Sequence, residues 1–166
     1  MSYSEPGPNR RLFLVGLLGL GACGFTPIYG PGGAAQGLRG QIEVAAPDDR
    51  NGYELVKRLE ERLGQPTGAR YALSYELDTR EEASGYTSDA DTSRSQVFGT
   101  LRFTLTDSAT GQVVQSGSVT SFVSYSRQGT TVATAAAKTD AYRRLMVALA
   151  DLVTTRLIAG AADWPE

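Results

Sequence analysis

The chain opens with an unbroken apolar run and then changes period several times. Residues 12–22 are all apolar or glycine, Leu-Phe-Leu-Val-Gly-Leu-Leu-Gly-Leu-Gly-Ala, behind Arg10 and Arg11. Residues 38–44 alternate, with Leu38, Ile42 and Val44 on one side, which predicts a first strand ended by Pro47. The spacing then becomes helical. Tyr53, Leu55, Val56, Leu59 and Leu63 recur on one face, Asn51 with Glu54 three residues on supplies a start signal, and Gly64 and Pro66 a stop. Lys57, Arg58, Glu60, Glu61 and Arg62 cover the opposite face as a solvated charge run, with Glu54 and Arg58 one turn apart. Period two returns at Tyr71, Leu73, Tyr75 and Leu77, and again at Val97, Leu101, Phe103 and Leu105. Between these two strands, residues 81–94 are polar and read as a long hairpin loop. Asp107-Ser108-Ala109-Thr110-Gly111 reads as a turn into a third hairpin strand at 113–123. From about Thr131 to Ile158 a broad stripe runs through Val132, Ala135, Ala136, Tyr142, Leu145, Met146, Leu149, Leu152, Val153 and Leu157, with Gly160 as its stop. The simplest role for that stripe is core packing against a sheet.

The order strand, helix, three strands, long helix predicts an α+β domain. Its first unit is a right-handed parallel crossover and the rest are antiparallel hairpins. Two helices then pack on one face of a four-stranded mixed β-sheet. The faces turned away from the helices carry Ala72, Ser74, Glu76 and Asp78, then Thr100, Arg102, Thr104 and Thr106, then Ser116, Ser118 and Thr120. Such a face suits a plain solvated sheet and equally the wet interior of a large barrel.

The apolar run at 12–22 is too short for a bilayer-spanning helix, which needs roughly 20 residues. With its basic flank it has the layout of a secretory signal. Leu20-Gly21-Ala22-Cys23 then resembles the bacterial lipobox, in which a thiol nucleophile takes a diacylglyceryl group before cleavage ahead of the Cys. Cys23 is the only cysteine, so a cleaved signal with a spare thiol is the plainer and less economical reading. The resulting division is a signal peptide at 1–22, a lipidated flexible tether at 23–37, one domain at 38–160 and a C-terminal tail at 161–166. No later segment is expected to approach a transmembrane length, so attachment rests on the lipid, whose buried CH₂ groups contribute about 0.8 kcal/mol each.

Composition narrows the function classes. Losing Glu5, Arg10 and Arg11 with the signal moves the formal charge from −2 to −3, against nucleic-acid binding. The chain has no histidine. With its one cysteine acylated, it lacks the parts for Ser-His-Asp or Cys-His catalysis and for the common zinc sites. Lys57 and Lys138 are the only lysines, both in helical segments, so a Ser-Lys dyad has little to use. Glu81 and Glu82 sit among polar residues with no apolar pocket in sequence to raise a carboxyl pKa. The expectations are therefore no enzyme activity, no cofactor and no metal.

Several short motifs, in order, carry a resemblance. They are Cys23-Gly24-Phe25-Thr26-Pro27-Ile28-Tyr29-Gly30, Tyr71-Ala72-Leu73-Ser74-Tyr75-Glu76-Leu77, Tyr125-Ser126, Ala133, and Asp140-Ala141-Tyr142-Arg143-Arg144-Leu145 leading to Leu149-Ala150 and Arg156-Leu157. Together they resemble the LptE family of lipopolysaccharide-assembly lipoproteins, in its alphaproteobacterial form, over nearly the whole mature chain. The resemblance implies a non-catalytic outer-membrane lipoprotein that plugs the LptD β-barrel translocon, assists its assembly and helps deliver lipopolysaccharide to the outer leaflet. It implies LptD and lipopolysaccharide as partners and two helices on a small mixed sheet as the fold. Gly24, in place of the Asp that retains enterobacterial lipoproteins at the inner membrane, permits outer-membrane sorting. Charge and placement single out Arg80, Arg94 and Arg102 as candidate lipopolysaccharide contacts, against the plainer reading of surface arginines. The alternatives are an auxiliary lipoprotein of an ABC-type lipid-transport system and, from another class, a lipoprotein hydrolase, which the missing histidine weakens.

Overall fold

In the computed structural model, which describes residues 37–86 and 92–164, the first strand is shorter than its pattern. Gly40 adopts a positive φ of 76° and turns the chain, donating its N–H to the Leu63 carbonyl at 2.8 Å. Strand β1 is thus only Ile42–Val44, with Leu38 buried ahead of the turn. Helix α1 spans Arg50–Leu63. Asp49, not Asn51, caps it, its carboxylate accepting from the Gly52 N–H at 2.6 Å. Aspartate accepts this bond with a full charge at the positive end of the helix. Gly64, at φ 84°, ends the helix as its position predicts. Leu55, Val56, Leu59 and Leu63 are buried, whereas Tyr53 faces solvent.

Three long strands follow: β2 at Tyr71–Tyr86, β3 at Thr92–Asp107 and β4 at Val113–Ser126. The sheet order is β1-β2-β3-β4, with β1 parallel to β2 and the other pairs antiparallel. The polar stretch at 81–94 does not form the expected long loop. Glu81 to Ser84 pair with Val97 to Arg94, so the ladder continues well past the last apolar pair. Cross-strand hydrogen bonds satisfy the backbone there whatever the side chains are. The turn at Asp107 forms as predicted, with the Asp107 carboxylate accepting from Ala109 and Thr110 N–H groups at 2.9 and 3.0 Å.

Helix α2, Thr131–Gly160, is about 45 Å long at 1.5 Å per residue. By length and composition alone it could cross a membrane, which corrects the expectation that no later segment reaches that size. Its apolar residues have another use. Ala141, Leu145, Met146, Leu149, Ala150, Val153 and Leu157 are fully buried against the sheet and α1. Gly99 on β3 permits the close approach: a Cβ there would lie 2.8 Å from Leu149 Cδ1 and 3.1 Å from Leu145 Cδ2. The charged face of α1 is not simply solvated. Arg58 donates through Nε and Nη2 to both oxygens of Asp151 on α2, at 3.0 and 3.1 Å, and Arg62 joins at 3.4 Å. Two helices thus cover one face of a four-stranded mixed sheet. Beyond a short 3-10 turn at Ala161–Asp163, Trp164 packs edge-on to Tyr71, with ring centres 5.0 Å apart. Its indole N–H reaches Gln115 Oε1 at 2.9 Å.

Candidate functional site

The sheet's uncovered face follows directly from the strand alternation. Inward positions take the core, so outward ones line up in rows across β2, β3 and β4. Glu76, Arg102 and Ser118 form one row, Asp78, Thr100 and Thr120 the next, then Arg80, Phe98 and Phe122. Farther along, Arg94 stands opposite Ser126. Ser74, Thr104 and Ser116 lie at the other end. The alternation predicted this hydroxyl-rich character, and the register supports it residue by residue.

The three candidate arginines share this face but do not converge. Arg94 and Arg102 lie eight residues apart on β3, about 27 Å at 3.4 Å per residue. Arg102 pairs with Glu76 at 3.4 Å in an exposed contact. Arg80 pairs with Glu82 at 3.3 Å, and its guanidinium carbon sits 4.8 Å from the centre of the Phe98 ring. Phe98 in turn lies 5.8 Å from Phe122, tilted by 32°. Phe122 is 59 % exposed. This Arg80-Phe98-Phe122 row sets two neighbouring aromatic rings on the outward face, and sequence reasoning missed it. Phe98 falls out of phase with Val97 and Leu101, a parity that signals an outward aromatic. Beside the row lies a groove of about 340 Å³ lined by Asp78, Arg80, Phe98, Gly99, Thr100, Thr120 and Ser121. An aromatic pair, a guanidinium and a ring of hydroxyls can hold a partner by stacking and neutral hydrogen bonds. Among the described residues, no group of three or more metal-ligating side chains is present. Cys23 lies outside the described residues.

A second polar constellation sits on the helix side, where the sheet outruns its apolar core. Glu81 from β2 accepts from the Tyr125 hydroxyl on β4 and pairs with Lys138 Nζ of α2 at 2.6 Å. Ser95, 1 % exposed, completes the cluster by hydrogen-bonding to Glu81 and Tyr125. Burial pushes the Glu81 carboxyl upward, but hydrogen bonds from Lys138 and Tyr125 outweigh it and leave its pKa below the ordinary value. Burial and the Glu81 carboxylate raise the Tyr125 phenol, and that same carboxylate raises Lys138. Glu81 therefore stays an acceptor, which suits a structural clasp better than proton transfer.

Comparison with known proteins agrees with this architecture. The family model described as LptE, lipopolysaccharide-assembly, matches residues 40–157. A lipoprotein of Caulobacter crescentus CB15, solved by crystallography, superposes with a TM-score of 0.65 at 26 % identity, covering 80 % of this chain and 98 % of that one. The rare lipoprotein B of Shewanella oneidensis shares the fold at a TM-score of 0.56 and 8 % identity, over 74 % of this chain and 96 % of its own. A minor lipoprotein of Acinetobacter baumannii does so at 0.54 and 21 %, over 75 % and 91 %. No curated protein matches the chain.

Proposed function

Because this chain belongs to the LptE family of lipopolysaccharide-assembly lipoproteins, we propose that it is the plug of an outer-membrane LptD β-barrel translocon. In this reading Cys23 carries the lipid anchor and residues 24–37 tether the domain to the periplasmic side of the outer membrane. The folded domain assists barrel assembly and helps pass lipopolysaccharide to the outer leaflet. The family is non-enzymatic.

The observation that supports this best is the outer sheet face. Ser74, Thr100, Thr104, Ser116, Ser118 and Thr120 exchange hydrogen bonds with water for hydrogen bonds with a polar barrel wall at small net cost. Charges in their place would pay a larger desolvation penalty. A broad apolar face would aggregate before assembly. The Phe98-Phe122 pair supplies one aromatic anchor inside that polar surround, a common distribution of energy at interfaces. Arg80, Arg94 and Arg102 remain the candidates for lipopolysaccharide phosphate. Their spread along the sheet fits a track of single contacts better than one pocket.

Depleting the protein should leave the barrel misassembled and lipopolysaccharide retained beneath the outer leaflet, with a large barrel co-purifying from outer membranes of the undepleted strain. Normal barrel and lipopolysaccharide with failed phospholipid transport would assign the chain to an ABC-type system instead. For the anchor, Cys23→Ala should give an unprocessed or soluble periplasmic form. A mutant still processed and still partitioning with outer-membrane detergent extracts would remove Cys23 from that role.

A further inference from the structure

The sheet has two open edges, and they are built differently. β1 covers β2 only where Ile42, Glu43 and Val44 face Tyr71, Ala72 and Leu73. Among the described residues, β2 beyond that point has a partner strand on one side alone. This open stretch carries Glu76, Asp78, Arg80, Glu81 and Glu82, and charges along an edge discourage another strand from adding. β4 is the opposite edge of the sheet. Its fourteen residues, Val-Val-Gln-Ser-Gly-Ser-Val-Thr-Ser-Phe-Val-Ser-Tyr-Ser, include no charged residue and no proline. From Gln115 to Ser126 its pairing with β3 is uninterrupted, the one register shift lying at Leu105/Thr106. Ser116, Ser118, Thr120 and Phe122 along it are exposed. The edge protected by charge and the edge left bare belong to the same sheet.

Resting on the plug reading above, we propose that β4 is a docking edge for one extended, uncharged segment of the barrel partner, which adds to the sheet as a fifth strand. Main-chain hydrogen bonds would supply the affinity in this mode, and alternate side chains beside Thr120 and Phe122 the register. The helix layer favours a bare strand over a second copy as occupant. α2 lies over β4: Arg144 donates to the Ser124 carbonyl at 3.4 Å, and Gln115 donates to the Arg156 carbonyl at 2.8 Å. Two copies paired edge to edge would put their β4 strands about 4.8 Å apart. Paired antiparallel, they would bring both α2 helices side by side on one face of the joined sheet, where packed helices need roughly 8–10 Å between axes. A bare strand brings no helix layer with it. The absence of charge sets the segment's chemistry, because a charged residue brought against this edge would find no counter-ion on β4 and would lose its water.

Hydrogen exchange on the full lipidated chain, alone in detergent and in the complex purified from outer membranes, tests the assignment. Amides of 113–126 should exchange at least about tenfold more slowly in the complex, while those of 75–82 on the charged edge change little. Ser118→Lys and Thr120→Lys, which burden both the face and the edge, should each lower recovery of the barrel by about tenfold, and Thr104→Lys, which burdens the face alone on a central strand, should lower it by a smaller factor. Barrel recovered in full with β4 amides unprotected, or lost equally with Thr104→Lys, overturns the edge assignment and leaves the plug reading standing. No barrel with the unaltered chain overturns the plug reading and the edge assignment with it. A concentration-dependent dimer of the isolated chain that Thr120→Lys abolishes gives the edge to a second copy and overturns the proposal.

Discussion

The two parts of α2 are held by different physics. From Ala141 to Ile158 the helix buries one side against the sheet and α1, with Leu145, Met146, Leu149, Val153 and Leu157 fully enclosed. From 131 to 140 every residue is exposed or half-buried, and Val132 is 80 % exposed. That first part extends over the end of the sheet where β2 and β3 outrun their apolar pairs. Its tie there is polar, from Lys138 to Glu81 and through it to Tyr125 and Ser95. Apolar burial is non-directional and accumulates with area, whereas the polar tie depends on a few atoms and on pH. One part of the helix is therefore a fixed foundation, and the other is a clasp that single substitutions and acid can open. A groove of about 750 Å³ between the amino ends of α1 and α2, lined in part by Arg50, Ala135 and Tyr142, lies along this second part.

The comparison would break if the foundation tolerated loss of volume. Leu149→Ala should cost about 2–5 kcal/mol, the range for emptying a fully buried leucine site, read from urea unfolding of the domain. Gly99→Ala tests the same contact from the sheet side. Its Cβ would press on Leu149 and Leu145, so a loss of about 1–3 kcal/mol is expected, with the thermal midpoint falling accordingly.

On the clasp the effects should be smaller. Lys138→Met removes an ion pair whose lysine side chain is 49 % exposed, so solvent screening holds the expected loss to about 0–1 kcal/mol. Faster amide exchange should accompany it in residues 131–140, with the rest of α2 unchanged. Acid titration gives a sharper reading. The Glu81 pKa is depressed, so its stabilisation is complete above the ordinary value of 4.5 and is lost as pH falls through the lower folded value. Glu81→Gln should be less stable than the unaltered domain near neutrality, and the gap should narrow as pH falls below about 4.5. A constant gap would place the stabilisation elsewhere. The smallest effect belongs to Val132→Ala, which should move stability by less than about 0.5 kcal/mol; a larger loss would mean that the first turns of α2 are packed after all.

Local pattern made much of this molecule legible in advance. Alternation named the inward and outward positions of β2, β3 and β4. Helical spacing named the buried positions of α1, and Gly64 and the Asp107 turn marked boundaries that the structure keeps. Each of these depends on residues within a turn or two of one another, where steric and hydrogen-bonding preferences act directly. The same reading placed Arg102 on the outward face, since parity is also a local property, whereas Arg80 and Arg94 were singled out by charge and loop placement. The cap at Asp49 was missed by two residues because several polar side chains there can serve.

What remained depended on partners far along the chain. Alternation says which way a side chain points, not how far the neighbouring strand or helix reaches. The polar residues from Glu81 on therefore read as loop, until pairing with β3 carried the ladder on to Tyr86. The long apolar stripe did not reveal which part of α2 would be covered, since only the end of the sheet's apolar rows decides that. Arg58 meets Asp151 from 93 residues away, and Tyr125 meets Glu81 from 44. Phe98 finds Phe122 only through the register of β3 on β4. The one-dimensional pattern determined secondary structure and the inside-outside assignment, because both are short-range consequences of side-chain period. Tertiary structure alone determined the clasp, the aromatic row and the uncharged open edge, because each is a relation between strands or helices that only the assembled sheet brings together.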